Sequence, residues 1–234
     1  MTLHVTNGDS TAGTLRETSL GGDVLAWRDA LHEGPLGSRE VRARFLAECG
    51  FGSYHGLLGD LVARDYALAG AEEVVLWFEH DLYDQLQLVE ILARRPRNAE
   101  LIQADVYLGS LTAPELEELW PTRRPVTGAQ RDLAAAVWSA LVAGEIPLDR
   151  DLAALPYLEP ALRRLAEDRA DPPRSDRQLL EIHAAGPRTR HELFRENAER
   201  EEAQFAGDTW VWRRLDALAD RGLVVVEGET ARLA

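Results

Sequence analysis

Short apolar runs and longer amphipathic stretches alternate along the first half of the chain. Residues 3–6 read as a strand ending at Asn7-Gly8-Asp9, and small residues then lead into a helix through Thr14, Leu15 and Arg16. Residues 23–27 read as a second strand, and 39–49 and 54–68 as helices with apolar positions three or four apart. The clearest strand is 74–78, V-V-L-W-F, whose unbroken apolar run suits a strand covered on both faces. Asp81 then opens a helix with Leu82, Leu86, Val89 and Leu92 on one stripe, and 101–108 reads as a further strand. Thr112 and Glu115 have capping-box spacing for the helix after it. Strand–helix alternation of this kind predicts an α/β domain over 1–125, Rossmann-like, with a mostly parallel sheet and helices on both faces.

The pattern then changes. Residues 126–172 read as a helical extension that runs into R-A-D-P-P-R at 169–174, where two prolines cannot continue a helix. Over 173–234, Ser175 with Gln178 and Thr189 with Glu192 have capping-box spacing, and Asp208 or Thr209 is placed to cap a third helix. Residues 223–226 and 230–233, joined by Glu227-Gly228-Glu229, read as a hairpin. Three short helices and a hairpin predict a small winged-helix-like domain.

Composition narrows the chemistry. Every basic residue is Arg, so a P-loop lysine, a lysine Schiff base and a kinase-type lysine are all excluded. A formal charge of −14 disfavours adhesion to nucleic acid or an anionic membrane. The winged-helix-like region carries ten Arg against twelve acids from residue 174 onward, so packing or dimerisation suits it better than DNA contact. The single cysteine, Cys49, permits no intramolecular disulfide, and the N-terminus lacks signal-peptide character. A cytoplasmic location is expected, with no membrane span and with a homodimer as an alternative to a monomer.

Three segments carry candidate chemistry: H-V-T-N-G-D-S at 4–10, W-R-D-A-L-H-E-G-P at 27–35 and W-F-E-H-D-L-Y-D-Q at 77–85. Each follows or ends a predicted strand, and ligands of open parallel sheets bind at the carboxyl ends of strands. Gly8, Asp9, Ser10 and Thr11 form a strand-to-helix turn whose N–H groups suit an anion, with Asp9 or Ser10 available as the helix cap. Asp29, His32, Asp84 and Gln85 join them as expected ligand-binding residues. His80 and Asp81 are the acid/base or metal candidates, and Ser10 is the candidate nucleophile. Glu79, His80, Asp81 and Asp84 have donor types suited to a divalent cation, although Asp81 also reads as a plain helix cap. Gly8-Asp9-Ser10 resembles the first block of GDS-type serine hydrolases, and Asp29-Ala30-Leu31-His32 has their D-x-x-H spacing, but far too early in the chain. His4, Trp27 and Trp77 are expected to be structural; His55, His183 and His191 are expected at the surface.

The phrases HVTNGDSTAGTL, WRDALHEGP and WFEHDLYDQLQL, in that order, resemble the bacterial domain-of-unknown-function 1835 family over residues 3–125. The resemblance implies a bacterial cytoplasmic protein with an α/β first domain, a winged-helix-like region after it, and no particular reaction. The residues at the strand ends lead to the expectation of a small phosphorylated or nucleotide-like ligand at the carboxyl edge, with a divalent cation as candidate cofactor. The rivals are a metal-assisted or serine hydrolase on the same edge, and a ligand-sensing regulatory module with DNA or protein contact through the winged helix.

Overall fold

In the computed structural model, which describes residues 1–234, the alternating pattern becomes a strand–helix series. It opens with β1 (Thr2–Thr6), α1 (Asp9–Glu17), β2 (Asp23–Ala26), α2 (Arg39–Glu48) and α3 (Tyr54–Gly70). There follow β3 (Glu73–Glu79), α4 (Leu82–Ala93), β4 (Ala99–Ala104), α5 (Ala113–Leu119), β5 (Arg124–Pro125), α6 (Gly128–Val142) and α7 (Leu158–Asp168). The chain divides into two compact units, Met1–Leu162 and Arg163–Ala234.

The first unit is an α/β fold on a five-stranded sheet in the order β2-β1-β3-β4-β5. All pairings are parallel except the last, where two residues of β5 run antiparallel to β4. The chain goes outward from β1 to β2 and then crosses back to place β3 on the other side of β1. Strand order reverses between β1 and β3, which marks the carboxyl ends of those two strands as the place where such sheets form a crevice.

β3 explains why the sheet holds. Its alternate side chains point to opposite faces. Val75 and Trp77 lie in a buried cluster with Leu15 of α1 and Leu116 of α5. Val74, Leu76 and Phe78 point the other way and are as completely buried. His4 supports the same core: its Nδ1 accepts from Trp77 Nε1 at 3.1 Å and its Nε2 lies 2.9 Å from Gly21 O. Burial lowers its pKa, so the structural role expected for it is met by a neutral ring. α6 packs on α4 within this unit.

Two local expectations are corrected here. The helix after β1 is capped by Gly8, with Asp9 already its first helical residue, so neither Asp9 nor Ser10 is the cap. β4 ends at Ala104 rather than 108: residues 105–107 leave the sheet, and Leu108–Ser110 form a 3-10 turn. The apolar character of Leu101, Ile102, Val106 and Leu108 suggested one strand, but the Leu108 N–H bonds a side chain of β3 instead of a neighbouring strand.

The second unit contains α8 (Arg174–Ala184), β6 (Arg188–Thr189), α9 (Arg190–Ala198), α10 (Asp208–Asp220), β7 (Val224–Glu227) and β8 (Thr230–Leu233). Its three strands form an antiparallel sheet in the order β6-β8-β7. Leu179, Ile182, Leu193, Val211, Leu215 and Leu218 make its core. The Thr189–Glu192 capping box is present. So is the expected Thr112–Glu115 box of the first unit. The other two caps expected in the second unit are not formed. α8 begins at Arg174 after Pro173, and Ser175 turns its N–H and Oγ to Asp168. Gly207 caps α10, ahead of Asp208. His183, expected at the surface, is buried on α8. No helix is long and apolar enough to cross a membrane.

Candidate functional site

The end of β3 carries an acidic cluster. Glu79 is the last residue of the strand, Asp81 caps α4 by accepting from the Asp84 N–H at 3.0 Å, and Asp84 lies in the first turn. All three are buried, and one oxygen from each lies within 4.8 Å of the others. A strand that must stay apolar up to its exit, followed at once by a helix that needs a cap, brings these acids together over six residues.

β1 supplies the cross-strand tie. Asn7, the first residue beyond β1, donates through Nδ2 to Asp84 Oδ2 at 2.7 Å and to Glu79 Oε1 at 3.2 Å. Its Oδ1 faces the hydroxyls of Thr6 and Thr11. The Leu108 N–H reaches Glu79 Oε1 at 2.9 Å, and the Glu79 N–H reaches Asp84 Oδ1 at 2.7 Å. These donors are all neutral amides.

Burial among neutral amide donors has the consequence expected of it. Desolvation, then the neighbouring Asp84 charge, raises Glu79; desolvation, then Glu79, raises Asp81; each is pushed up to about 8. Asp84 is raised for the same reasons, with Asp81 as the charged neighbour. The Glu79 and Asp81 carboxyls adjoin each other in this cluster, so each disfavours the charged form of the other. Such a group holds protons at neutral pH or gives them up to a cation.

An all-oxygen donor set fits Mg²⁺, Mn²⁺ or Ca²⁺ better than a softer ion. Oxygens on opposite sides of Ca²⁺ lie about 4.8 Å apart and around Mg²⁺ about 4.2 Å apart. A spread of no more than 4.8 Å is compatible with all three acids sharing one such ion. Gln85 adds a neutral oxygen: it is fully buried, its Nε2 donates to the Glu79 carbonyl at 2.5 Å, and its Oε1 has no partner.

The other expected residues are distributed around this centre with different partners. Exposed Asp9 accepts at one oxygen, Oδ1, from both Nη2 and Nε of exposed Arg28, at 2.6 and 2.9 Å. Ser10 Oγ donates to Gly109 O at 2.8 Å, which directs its proton to a carbonyl rather than a histidine. Gly8 is extended, with φ −160°, and nothing lies within 4 Å of where a Cβ would stand. The His80 ring stands edge-on to Tyr157 at 5.8 Å, and the His32 ring edge-on to Tyr83 at 5.7 Å.

Asp29 belongs to a second buried ionic group. Arg42 grips it through Nε and Nη2, the latter at 2.7 Å, and spends its remaining donors on the carbonyls of Ala30, Glu33 and Pro35. Gly34 completes that loop at φ +70°, with the Phe45 ring 2.4 Å from where a Cβ would lie. Farther in, Glu90 accepts from Arg64, Arg94 and the Trp27 Nε1. Much of the W-R-D-A-L-H-E-G-P segment is thus explained by holding its own loop.

Two contributors were not singled out from sequence. Asn7 gives no motif signal beyond an amide at a strand exit. Tyr107, in the loop after β4, senses Glu79, Asp81 and Asp84 electrostatically; burial and then these charges raise its phenol. A separate cavity of about 820 Å³ lies beside β2, lined by Leu3, Arg16, Asp23, Val24 and Glu72 among others, and shares no residue with the acidic cluster. No protein-family model matches the chain, and no curated protein matches it.

Proposed function

We propose that the first unit binds a small phosphorylated or nucleotide-like ligand at the carboxyl edge of its Rossmann-like sheet, through a divalent cation held by Glu79, Asp81 and Asp84. The observation that carries this is the position of three buried acids, partnered by amides, at the β1/β3 reversal. With one proton kept by Glu79 or Asp81 the cluster bears two negative charges, which a divalent cation cancels. The cation's open positions then take phosphate oxygens, as Mg²⁺ sites with few protein ligands do. The first N–H groups of α1 supply further positive potential along the edge, while Arg28 is already paired with Asp9.

The test is thermal unfolding at pH 8 with Mn²⁺ or Mg²⁺, alone and with nucleoside triphosphates. The cation alone should raise Tm, and the nucleotide should add to that only when the cation is present. Asp81→Asn keeps the helix cap and should remove both responses while circular dichroism stays unchanged. Absence of any cation-dependent shift, or an undiminished shift in Asp81→Asn, overturns the reading.

The second unit is read as winged-helix-like, with a packing role in preference to DNA contact. Arg174, Arg188, Arg190, Arg200, Arg214 and Arg221 are each already paired with an acid of the same unit, which leaves them less able to collect phosphates.

A further inference from the structure

Tyr107 is exposed over 59% of its surface and Val106 over 44%, although the loop that carries them is firmly held. The next residue, Leu108, gives its N–H to the Glu79 carboxylate at 2.9 Å, so the Tyr107–Leu108 peptide adjoins the acidic cluster. On its other side the loop is tied to the first strand-to-helix turn, where Ser10 Oγ bonds Gly109 O at 2.8 Å. The Tyr107 carbonyl accepts from both the N–H and the Oγ of Ser110, at 3.2 and 2.8 Å. Gly109 lies under the ring: a Cβ there would come within 2.9 Å of Tyr107 Cζ and 3.0 Å of its hydroxyl.

A large ring held by a pinned loop loses little further freedom when something covers it. Its site is the rim of a centre suited to a cation and phosphates. The covering group would therefore belong to the same molecule as those phosphates. We infer that Tyr107 is the specificity-determining residue of this edge, stacking on the aromatic base of a nucleotide whose phosphates reach the cation at Glu79, Asp81 and Asp84. Stacking reads a flat ring and tolerates exchange of one base for another. The edge should thus distinguish nucleotides from simple phosphate compounds more sharply than it distinguishes bases. The inference rests on the proposed function and adds the ligand's class to it.

The experiment measures, by titration calorimetry at pH 8, the affinity of the full chain for Mn²⁺, and of the Mn²⁺-loaded chain for ATP, GTP and inorganic triphosphate. In the wild type both nucleotides should bind about five- to a hundredfold more tightly than inorganic triphosphate. Tyr107→Ala and Tyr107→Leu should abolish that preference, Tyr107→Phe should keep it, and Gly109→Ala should reduce it by displacing the ring. Mn²⁺ affinity should be unchanged in the Tyr107 variants, which also shows that they are folded. If Mn²⁺ binds but the preference is absent, or survives in Tyr107→Ala, the inference is overturned and the proposed cation site stands. If neither Mn²⁺ nor any phosphate binds, both are overturned.

Discussion

Glu79 and Glu90 are the same residue type at nearly the same depth, 2% and 3% exposed, yet their environments act in opposite directions. At Glu90 burial favours the proton, but Arg64 and Arg94 overcome it and hold the carboxylate below its usual range. At Glu79 burial acts with the Asp84 charge, and amide donors do not offset them. The first arrangement is a closed ionic structure in which each carboxylate oxygen of Glu90 meets an arginine or tryptophan donor. In the second the hydrogen-bond donors to Glu79 and Asp84 are amides, and no basic side chain is among them. Closure alone does not decide the protonation state, because Asp29 stays raised by burial despite the Arg42 fork. What separates the regions is supply of positive charge: one obtains it from its own arginines, and the partners of the other are amides.

The largest effect should come from breaking the closed region. Arg42→Met strands Asp29 in the interior and releases three loop carbonyls, so urea unfolding should show a loss of about 3–5 kcal/mol. A loss below about 1 kcal/mol would mean that the arginine is not what makes the buried acid tolerable.

A smaller effect of opposite sign is expected at the open region. In Asp81→Asn the amide oxygen can keep the bond from the Asp84 N–H, while the neutral side chain no longer sets a charge beside Glu79. The cation-free variant should be more stable than wild type at pH 8, by on the order of 1–2 kcal/mol. Destabilisation of that size instead would show that the cluster gains from its charge without a cation.

The finest distinction lies in pH. Glu79 and Asp81 keep protons in the folded chain that the unfolded chain releases near pH 4, so stability from these groups is full below that point and is lost as pH rises to about 8. Asp81→Asn should therefore gain on the wild type steadily across this window, and the Mn²⁺-induced rise in wild-type Tm should grow over the same range. A difference that is flat with pH would remove proton retention from the account.

Parts of this were legible in the chain and parts were not, for identifiable reasons. The apolar run of β3 and the cap at Asp81 are local signals, and together they place Glu79, Asp81 and Asp84 at one strand exit. The tie from Asn7 was invisible because it spans 72 and 77 residues, and an amide at a strand end has no distinctive spacing. Asp29 had the composition of a ligand-binding acid, but its partner Arg42 lies thirteen residues on, across a loop whose path only the fold defines. Tyr107 was absorbed into an expected strand, since Val106 and Leu108 extend the apolar pattern of β4 past the point where Glu79 captures the backbone.

The bridge from Asn7 to the third strand has a consequence for how this centre comes into being. Every acid of the centre sits on one short stretch, but the amide that orients two of them arrives only when the N-terminal strand docks. A nascent or denatured chain thus carries the carboxylates without their arrangement. If the cluster binds a cation as proposed, capture would mark molecules that have completed their sheet, and a chain shortened by its first seven residues would retain all three acids and lose the amide that orients two of them.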